Sequence, residues 1–199
     1  MPKKDHGITL IELIVSMALM SLVVLSIYSI ELFSRHHVIS SDKRAKVQNE
    51  ISYAIEYMSK YVQQSIGDSQ LPAIRRYPSA GTQTGFQIGI DLNNPQTPKD
   101  LSDDTWVNFY LSGNSLIAQK GASSEVLTGR ISGVFAANTV MPNSPGQGFY
   151  VNITDPGPNQ GIAVDIGLVG RYNPTVAASA DNPQVSMKTR LVSPSSSAQ

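Results

Sequence analysis

The chain of 199 residues contains no cysteine, so disulfides, thiolate nucleophiles, iron–sulfur clusters and cysteine-ligated zinc are excluded in any compartment. Histidine is almost as scarce. All three, His6, His36 and His37, fall within the first 37 residues, and the remainder has no imidazole for a catalytic triad or a His-ligated metal. There is no charge excess either: 15 Lys+Arg balance 15 Asp+Glu, and beyond Gly67 the basic residues are scattered among acidic ones. Such a chain has no overall field for nucleic acid, and a nucleic-acid function is not expected. Glycine and proline are missing from one part of the chain only. Before Gly67 they occur once each, at Gly7 and Pro2, although the protein has 15 glycines and 12 prolines. That asymmetry predicts an uninterrupted helix followed by turn-rich structure.

What is present follows the same division. Ile8 to Ile30 is apolar on every helical face, and its only charge is Glu12. At about 1.5 Å per residue it spans roughly 34 Å, enough to cross a hydrocarbon core. Lys3 and Lys4 resemble the basic region of a cleaved secretory signal, but the apolar run is long and no small-x-small cleavage pattern follows it. After Phe33 the pattern becomes amphipathic. Val47, Ile51, Ile55, Met58, Val62 and Ile66 form one stripe, and Tyr53, Tyr57 and Tyr61 form a second column expected to widen the packed face. Gly67 and Pro72 supply the stop, so the expected helix runs from Ile8 to Ile66, 59 residues or about 88 Å. No compact domain of this size accommodates such a helix. Part of it must project into lipid or into an assembly.

Beyond Gly67 the apolar period changes to two. Ile162–Leu168 and Val185–Leu191 alternate as good strands, and Trp106–Leu111, Ser112-Gly113-Asn114-Ser115 and Leu116–Gln119 read as a hairpin. Weaker strands are expected at Phe86–Ile90, Ser132–Phe135 and Phe149–Thr154. The fold class expected is α+β: a long N-terminal helix, apolar in its membrane half and amphipathic after it, packed on a C-terminal antiparallel sheet. The serine-rich tail, Ser193–Gln199, has little to bury and is expected to be disordered.

The leader Lys3-Lys4-Asp5-His6-Gly7 runs directly into Ile8-Thr9-Leu10-Ile11-Glu12 and the apolar run. A short basic leader, a terminal glycine, T-L-I-E and the helix-to-sheet architecture together resemble the signal of type IV pilins and pseudopilins. The resemblance implies that a membrane peptidase cuts between Gly7 and Ile8 and methylates the Ile8 amine. Glu12 then becomes the fifth residue of a 192-residue mature chain. It also implies segments 1–7 (leader), 8–30 (membrane or filament-core helix), 31–66 (amphipathic helix), 67–192 (β-rich head) and 193–199 (tail). The absence of a helix-interrupting proline departs from many major pilins, and a length of 199, the absence of cysteine, and the segments Val47–Glu50, Ile55–Met58 and Gln64–Gly67 look more like minor pilins of PilW type or J-type pseudopilins of type II secretion. The implied function is a minor structural subunit of a type IV pilus or secretion pseudopilus that starts assembly at the tip. The implied partners are prepilin peptidase, other major and minor pilins or pseudopilins, an inner-membrane assembly platform and, before assembly, membrane lipid. The implied location is the bacterial inner membrane, single-pass, with the head outside the cytoplasm. Lys3 and Lys4 before the span against Arg35, Lys43, Arg44 and Lys46 after it favour the opposite orientation by charge alone.

The glutamate has its own physics. Insertion scales put a charged residue at the centre of a membrane helix at about 2.5–3.5 kcal/mol, so Glu12 needs a partner or a proton. An N-terminal amine, its own or a neighbouring subunit's, is the natural one. Two opposite charges 4 Å apart attract by about 4 kcal/mol at an effective dielectric of 20. The alternative is an anchored binding or adhesion module that never polymerises, in which Glu12 only snorkels. No constellation supports an enzyme, and no cofactor or metal site is expected. Asp91, Asn93, Asn94, Asp100, Asp103 and Asp104 cluster without EF-hand spacing, His36 and His37 point about 100° apart on a helix, and Arg75-Arg76 reads as a solvated loop pair.

Overall fold

The computed structural model describes residues 8–65, 73–77, 85–92, 100, 102–130, 148–154 and 161–194. The chain divides into two compact units, Met1–Asp42 and Lys43–Gln199. Helix α1 covers Leu10–Gln64, 55 residues, unbroken because no glycine or proline falls inside it. Gly67, Pro72 and Ile66 lie outside the described residues. The terminus seen here is made by Ser65, whose N–H and hydroxyl both donate to the carbonyl of Val62, at 3.3 and 2.7 Å. This tightens the last turn and occupies an otherwise orphaned acceptor.

In the first unit the large apolar side chains of α1 between Leu10 and Ile39 are exposed. The helix is long and apolar enough there to cross a membrane, and none of its most apolar window is buried. Ser16, Ser21, Ser26 and Ser29 each turn their hydroxyl back onto the carbonyl four residues earlier, at 2.7–2.8 Å. After the apolar run, Arg35 pairs with Glu31 one turn before it, and the ring of His37 meets Phe33 edge-on.

In the second unit α1 buries Val47, Ile51, Ala54, Met58 and Val62. The expected stripe is thus correct except that Ala54 replaces Ile55 at its centre. Ile55 is half-buried at the flank, because at about 100° per residue it stands roughly 80° round from Val47, farther from the middle of the stripe than Ala54 on the other side. The tyrosine column divides. Tyr57 and Tyr61 lie against Phe109, with ring centroids 6.2 and 5.8 Å away, whereas Tyr53 remains 48% exposed.

Eight strands follow among the described residues: β1 Ile74–Tyr77, β2 Gly85–Ile90, β3 Thr105–Ser112, β4 Ser115–Lys120, β5 Ser123–Thr128, β6 Phe149–Thr154, β7 Ala163–Arg171 and β8 Gln184–Val192. They form two antiparallel sheets instead of the single one expected, five strands in the order β1-β2-β3-β4-β5 and three in the order β6-β7-β8. The hairpin read from Trp106 to Gln119 is present, with Gly113 at φ 58° opening its two-residue turn. A second such turn, with Gly121 at φ 58°, leads into β5, which the sequence reading missed together with β1. Arg75 and Arg76 are therefore strand residues, not a loop pair. The candidate strand Ser132–Phe135 lies outside the described residues. Ser193, at the start of the proposed tail, is buried and exchanges hydrogen bonds with Ile162; residues 195–199 lie outside the described residues.

Both sheets share one core with the helix stripe, centred on Phe86, Phe109, Phe149, Ile166 and Leu168. Phe86 stacks on Phe109 at 5.2 Å and meets Phe149 at 6.5 Å, which joins the two sheets through aromatic contact. A polar clasp sits beside the core. Glu50 on α1 ion-pairs with Arg130 at 3.0 Å and accepts a hydrogen bond from the Thr128 hydroxyl at 2.9 Å, while the Arg130 guanidinium lies over the ring of Tyr172. The Arg130 carbonyl accepts the N–H of Arg171 at 2.7 Å, so this clasp links α1, the end of β5 and the end of β7.

Candidate functional site

Of the residues singled out by the sequence, Ile8 and Glu12 lie at the start of α1. Gly7 lies outside the described residues. Ile8 is 76% exposed and precedes the first helical turn, in which Glu12 is the acidic residue. Thr9 is the helix N-cap: its carbonyl accepts the N–H groups of Glu12 and Leu13 at 3.1 and 3.2 Å, and its hydroxyl oxygen accepts the Glu12 N–H at 3.3 Å. Thr9-Leu10-Ile11-Glu12 has the S/T-x-x-E spacing of a capping box, in which the cap oxygen satisfies the N–H of the third helical residue. That signature is legible in the sequence itself. It fixes Glu12 on the opening turn, where the aligned peptide dipoles favour a carboxylate by about 0.3–1 kcal/mol.

The Glu12 carboxylate has no hydrogen-bond or ion-pair partner among the described residues; its backbone carbonyl accepts the Ser16 hydroxyl. Its neighbours Ile8, Leu10 and Ile11 are at least 71% exposed. An acidic side chain set in an apolar exterior, on a helix suited to lipid, has three ways to offset its charge: take up a proton, reach toward the headgroups, or receive a cation brought from elsewhere.

The other sequence candidates are dispersed. Among the described residues no cluster of three or more His, Cys, Asp or Glu side chains is arranged to hold a metal ion. Asn93 and Asn94 lie outside them. Asp91 is buried at 5% exposure, and both carboxylate oxygens of Asp104 are covered without a hydrogen-bond partner. Burial pushes the Asp104 carboxyl above its ordinary range, the charges of Asp91, Asp103 and Asp100 push it further, and Arg75 opposes them. Asp100 is held low instead by hydrogen bonds from the hydroxyl and N–H of Ser102. His37 shares a 3.3 Å hydrogen bond with Ser41. Arg75 lies over the ring of Trp106 at 4.9 Å. Tyr53 and Tyr57 both donate their hydroxyls to Glu125, at 3.3 and 3.1 Å, and burial, with Tyr61 and Glu125 nearby, pushes the Tyr57 phenol upward. Nothing in the sequence announces the Arg75–Trp106 contact or the tyrosine bonds to Glu125, because each joins residues far apart in the chain.

No curated protein and no solved structure gives a match to this chain. Residues 2–28 do match the model of the prokaryotic N-terminal methylation motif, a stretch that ends inside the apolar half of α1 and contains Gly7, Ile8, Thr9 and Glu12. The chain therefore carries the prepilin-type signal of a type IV pilin-like precursor, set on a long apolar helix that supports a single-pass membrane anchor.

Proposed function

We propose that this protein is a minor pilin or pseudopilin, cut by prepilin peptidase between Gly7 and Ile8, methylated on the Ile8 amine, and incorporated into a type IV pilus or type II secretion pseudopilus. The observation that carries the reading is the methylation motif over residues 2–28, with a carboxylate that has no partner among the described residues, Glu12, on the first turn of the helix. Residues 1–7 are the leader, 8–30 the membrane and later filament-core helix, 31–66 the amphipathic helix, 67–192 the head and 193–199 the tail. Before assembly the apolar segment lies in the inner membrane with the head outside the cytoplasm. On assembly, Glu12 pairs with an N-terminal amine and so fixes the register of one helix against the next. A subunit of this kind contacts other pilins and the inner-membrane platform, and it starts assembly at the tip.

The test is intact-mass analysis of the protein from membranes and from sheared filaments, with and without active prepilin peptidase. Loss of Met1–Gly7 plus one methyl group on Ile8, with traces in filaments, is expected; abundance there makes it a major subunit. Glu12→Gln should still be cleaved but enter filaments less well by about tenfold, the equivalent of about 1.4 kcal/mol of lost pairing. A retained leader in peptidase-competent cells overturns the reading. Unchanged incorporation of Glu12→Gln removes the pairing role, and processing without any incorporation leaves an anchored binding module.

A further inference from the structure

The strand registers set out the outer face of the five-stranded sheet in two rows, each crossing all five strands. Tyr77, Gly85, Tyr110, Ile117 and Val126 stand opposite one another in succession and form an apolar row. Arg75, Gln87, Asn108, Gln119 and Ser124 do the same one pleat further along and form a polar row. Neighbouring positions within a row are about 4.8 Å apart, and the rows are separated by about 6.8 Å, two residues along a strand. The opposite face carries Phe86, Ile88, Phe109, Leu116 and the rest of the core, so the outer rows contribute nothing to that core.

Two features make the outer face more than a solvated surface. Gly85 has no side chain, and the rings of Tyr77 and Tyr110 close across it to a centroid distance of 5.5 Å, giving an aromatic platform continued by Ile117 and by Val126, which is 63% exposed. Beside that platform run three side-chain amides in register, Gln87, Asn108 and Gln119, each with donors and acceptors. The side-chain amide oxygen of Asn108 is buried as it stands and has no hydrogen-bond partner among the described residues. Leaving such an acceptor unmet costs about 1–3 kcal/mol, and rotation of the amide toward a ligand hydroxyl would recover it.

We propose that this face is a binding site for a neutral, hydroxyl-rich chain: an oligosaccharide laid across the strands. Pyranose rings have an apolar face of C–H groups, which suits the tyrosine platform, and an equatorial rim of hydroxyls, which suits the amide row. Tyrosine with asparagine and glutamine supplies rigid contact area beside adaptable hydrogen bonding. Charge decides against other occupants. The two rows hold one cation, Arg75 at the β1 edge, and no anion; the Asp104 carboxylate lies beyond them on the same face, beside Trp106 over Gly89, with Asp91 and Arg75 near it, so a phosphodiester chain would meet an anion next to the one cation and a basic peptide would find opposite charge only at that end. An uncharged ligand matches the rest of the face.

The single tryptophan of the chain, Trp106, sits on this face two residues from Asn108 and reports on it directly. The full chain in lipid nanodiscs would be titrated with a panel of neutral oligosaccharides built from glucose, mannose and N-acetylglucosamine, with heparin and a single-stranded oligonucleotide as anionic probes. Saturable change in Trp106 emission with at least one neutral sugar is expected. Asn108→Ala and Gln119→Ala should each weaken it about threefold to tenfold, the cost of one hydrogen bond, and Glu125→Gln on the opposite face should leave it unchanged. No saturable response to any sugar, a response to the anionic probes alone, or wild-type binding by both amide variants overturns the proposal. Self-association that Val126→Lys abolishes, with no sugar response, assigns the face to a second copy instead. Leader processing and filament entry do not enter this readout, so it can fail while the assembly reading stands.

Discussion

Gly170 on β7 faces the amphipathic part of α1 so closely that the fit can be tested with one methyl group. A Cβ at position 170 would lie 2.8 Å from Ile51 Cδ1, 3.0 Å from Val47 Cγ1 and 3.1 Å from the backbone oxygen of Arg130. All three are shorter than comfortable carbon contacts, Val47 is stiff at χ1, and the Arg130 oxygen is held by the Arg171 N–H. Overpacking of this kind costs about 1–3 kcal/mol, so Gly170→Ala should lower the Tm of the head by about 2–12 °C. Ile51→Val removes the atom that stands nearest. Alone it should cost about 0.5–1.5 kcal/mol for the small cavity it leaves. In combination the new methyl occupies the vacated space, and the double variant should be at least about 1 kcal/mol more stable than the sum of the single effects. Thermal unfolding followed by Trp106 emission, with the protein in nanodiscs, measures all four corners of the cycle. Strict additivity, or a neutral Gly170→Ala, would show that helix and sheet do not meet as described.

Gly85→Ala should be far worse, because its Cβ would fall 1.8 Å from the Phe109 backbone oxygen and force β2 away from β3; loss of the folded head in circular dichroism is the expected result. Asp104→Asn should stabilise at neutral pH. The Asp104 carboxyl is raised in the folded state above its ordinary value of 3.8, so folding retains a proton and the carboxylate opposes folding as pH rises through the folded value. The advantage of the asparagine over wild type should therefore vanish below pH 3.8 and grow above it, and equal unfolding midpoints from pH 4 to 8 would refute it. Thr9→Ala removes the cap oxygen, and about 1 kcal/mol of lost capping should speed amide exchange at Glu12 about fivefold; unchanged exchange would mean that the cap contributes nothing.

The helix was legible because its signal is a period, repeated over many residues and undisturbed by glycine or proline. The strands at Ile162–Leu168 and Val185–Leu191 were legible for the same reason, with alternation long enough to register. β1 was not, since four residues containing Arg75-Arg76 offer no alternation to read, and the arginines gain their place from Gln87, Phe86 and Trp106 on other strands. β5 escaped because its first four residues are exposed and only Leu127 and Thr128 are buried, so no buried face marks it. The division into two sheets is likewise invisible, for a period of two says which side of a strand is buried and nothing about which strand lies beside it. At the start of α1 the signal is local, and the four residues Thr9-Leu10-Ile11-Glu12 also contain the Thr9 cap. By contrast the Glu50–Arg130 clasp spans 80 positions and has no local trace.

The back-bonded serines of α1 bear on how the helix changes surroundings. From Leu13 to Ile27 the only polar side chains are Ser16, Ser21 and Ser26, and each hydroxyl already has an acceptor in its own helix. That stretch carries its polar partners with it and asks nothing of lipid, detergent or protein around it. Transfer from one to another leaves its hydrogen bonding unchanged, and only packing differs. The electrostatic penalty of the move is concentrated at Glu12, so one side chain can decide where a whole helix is at rest.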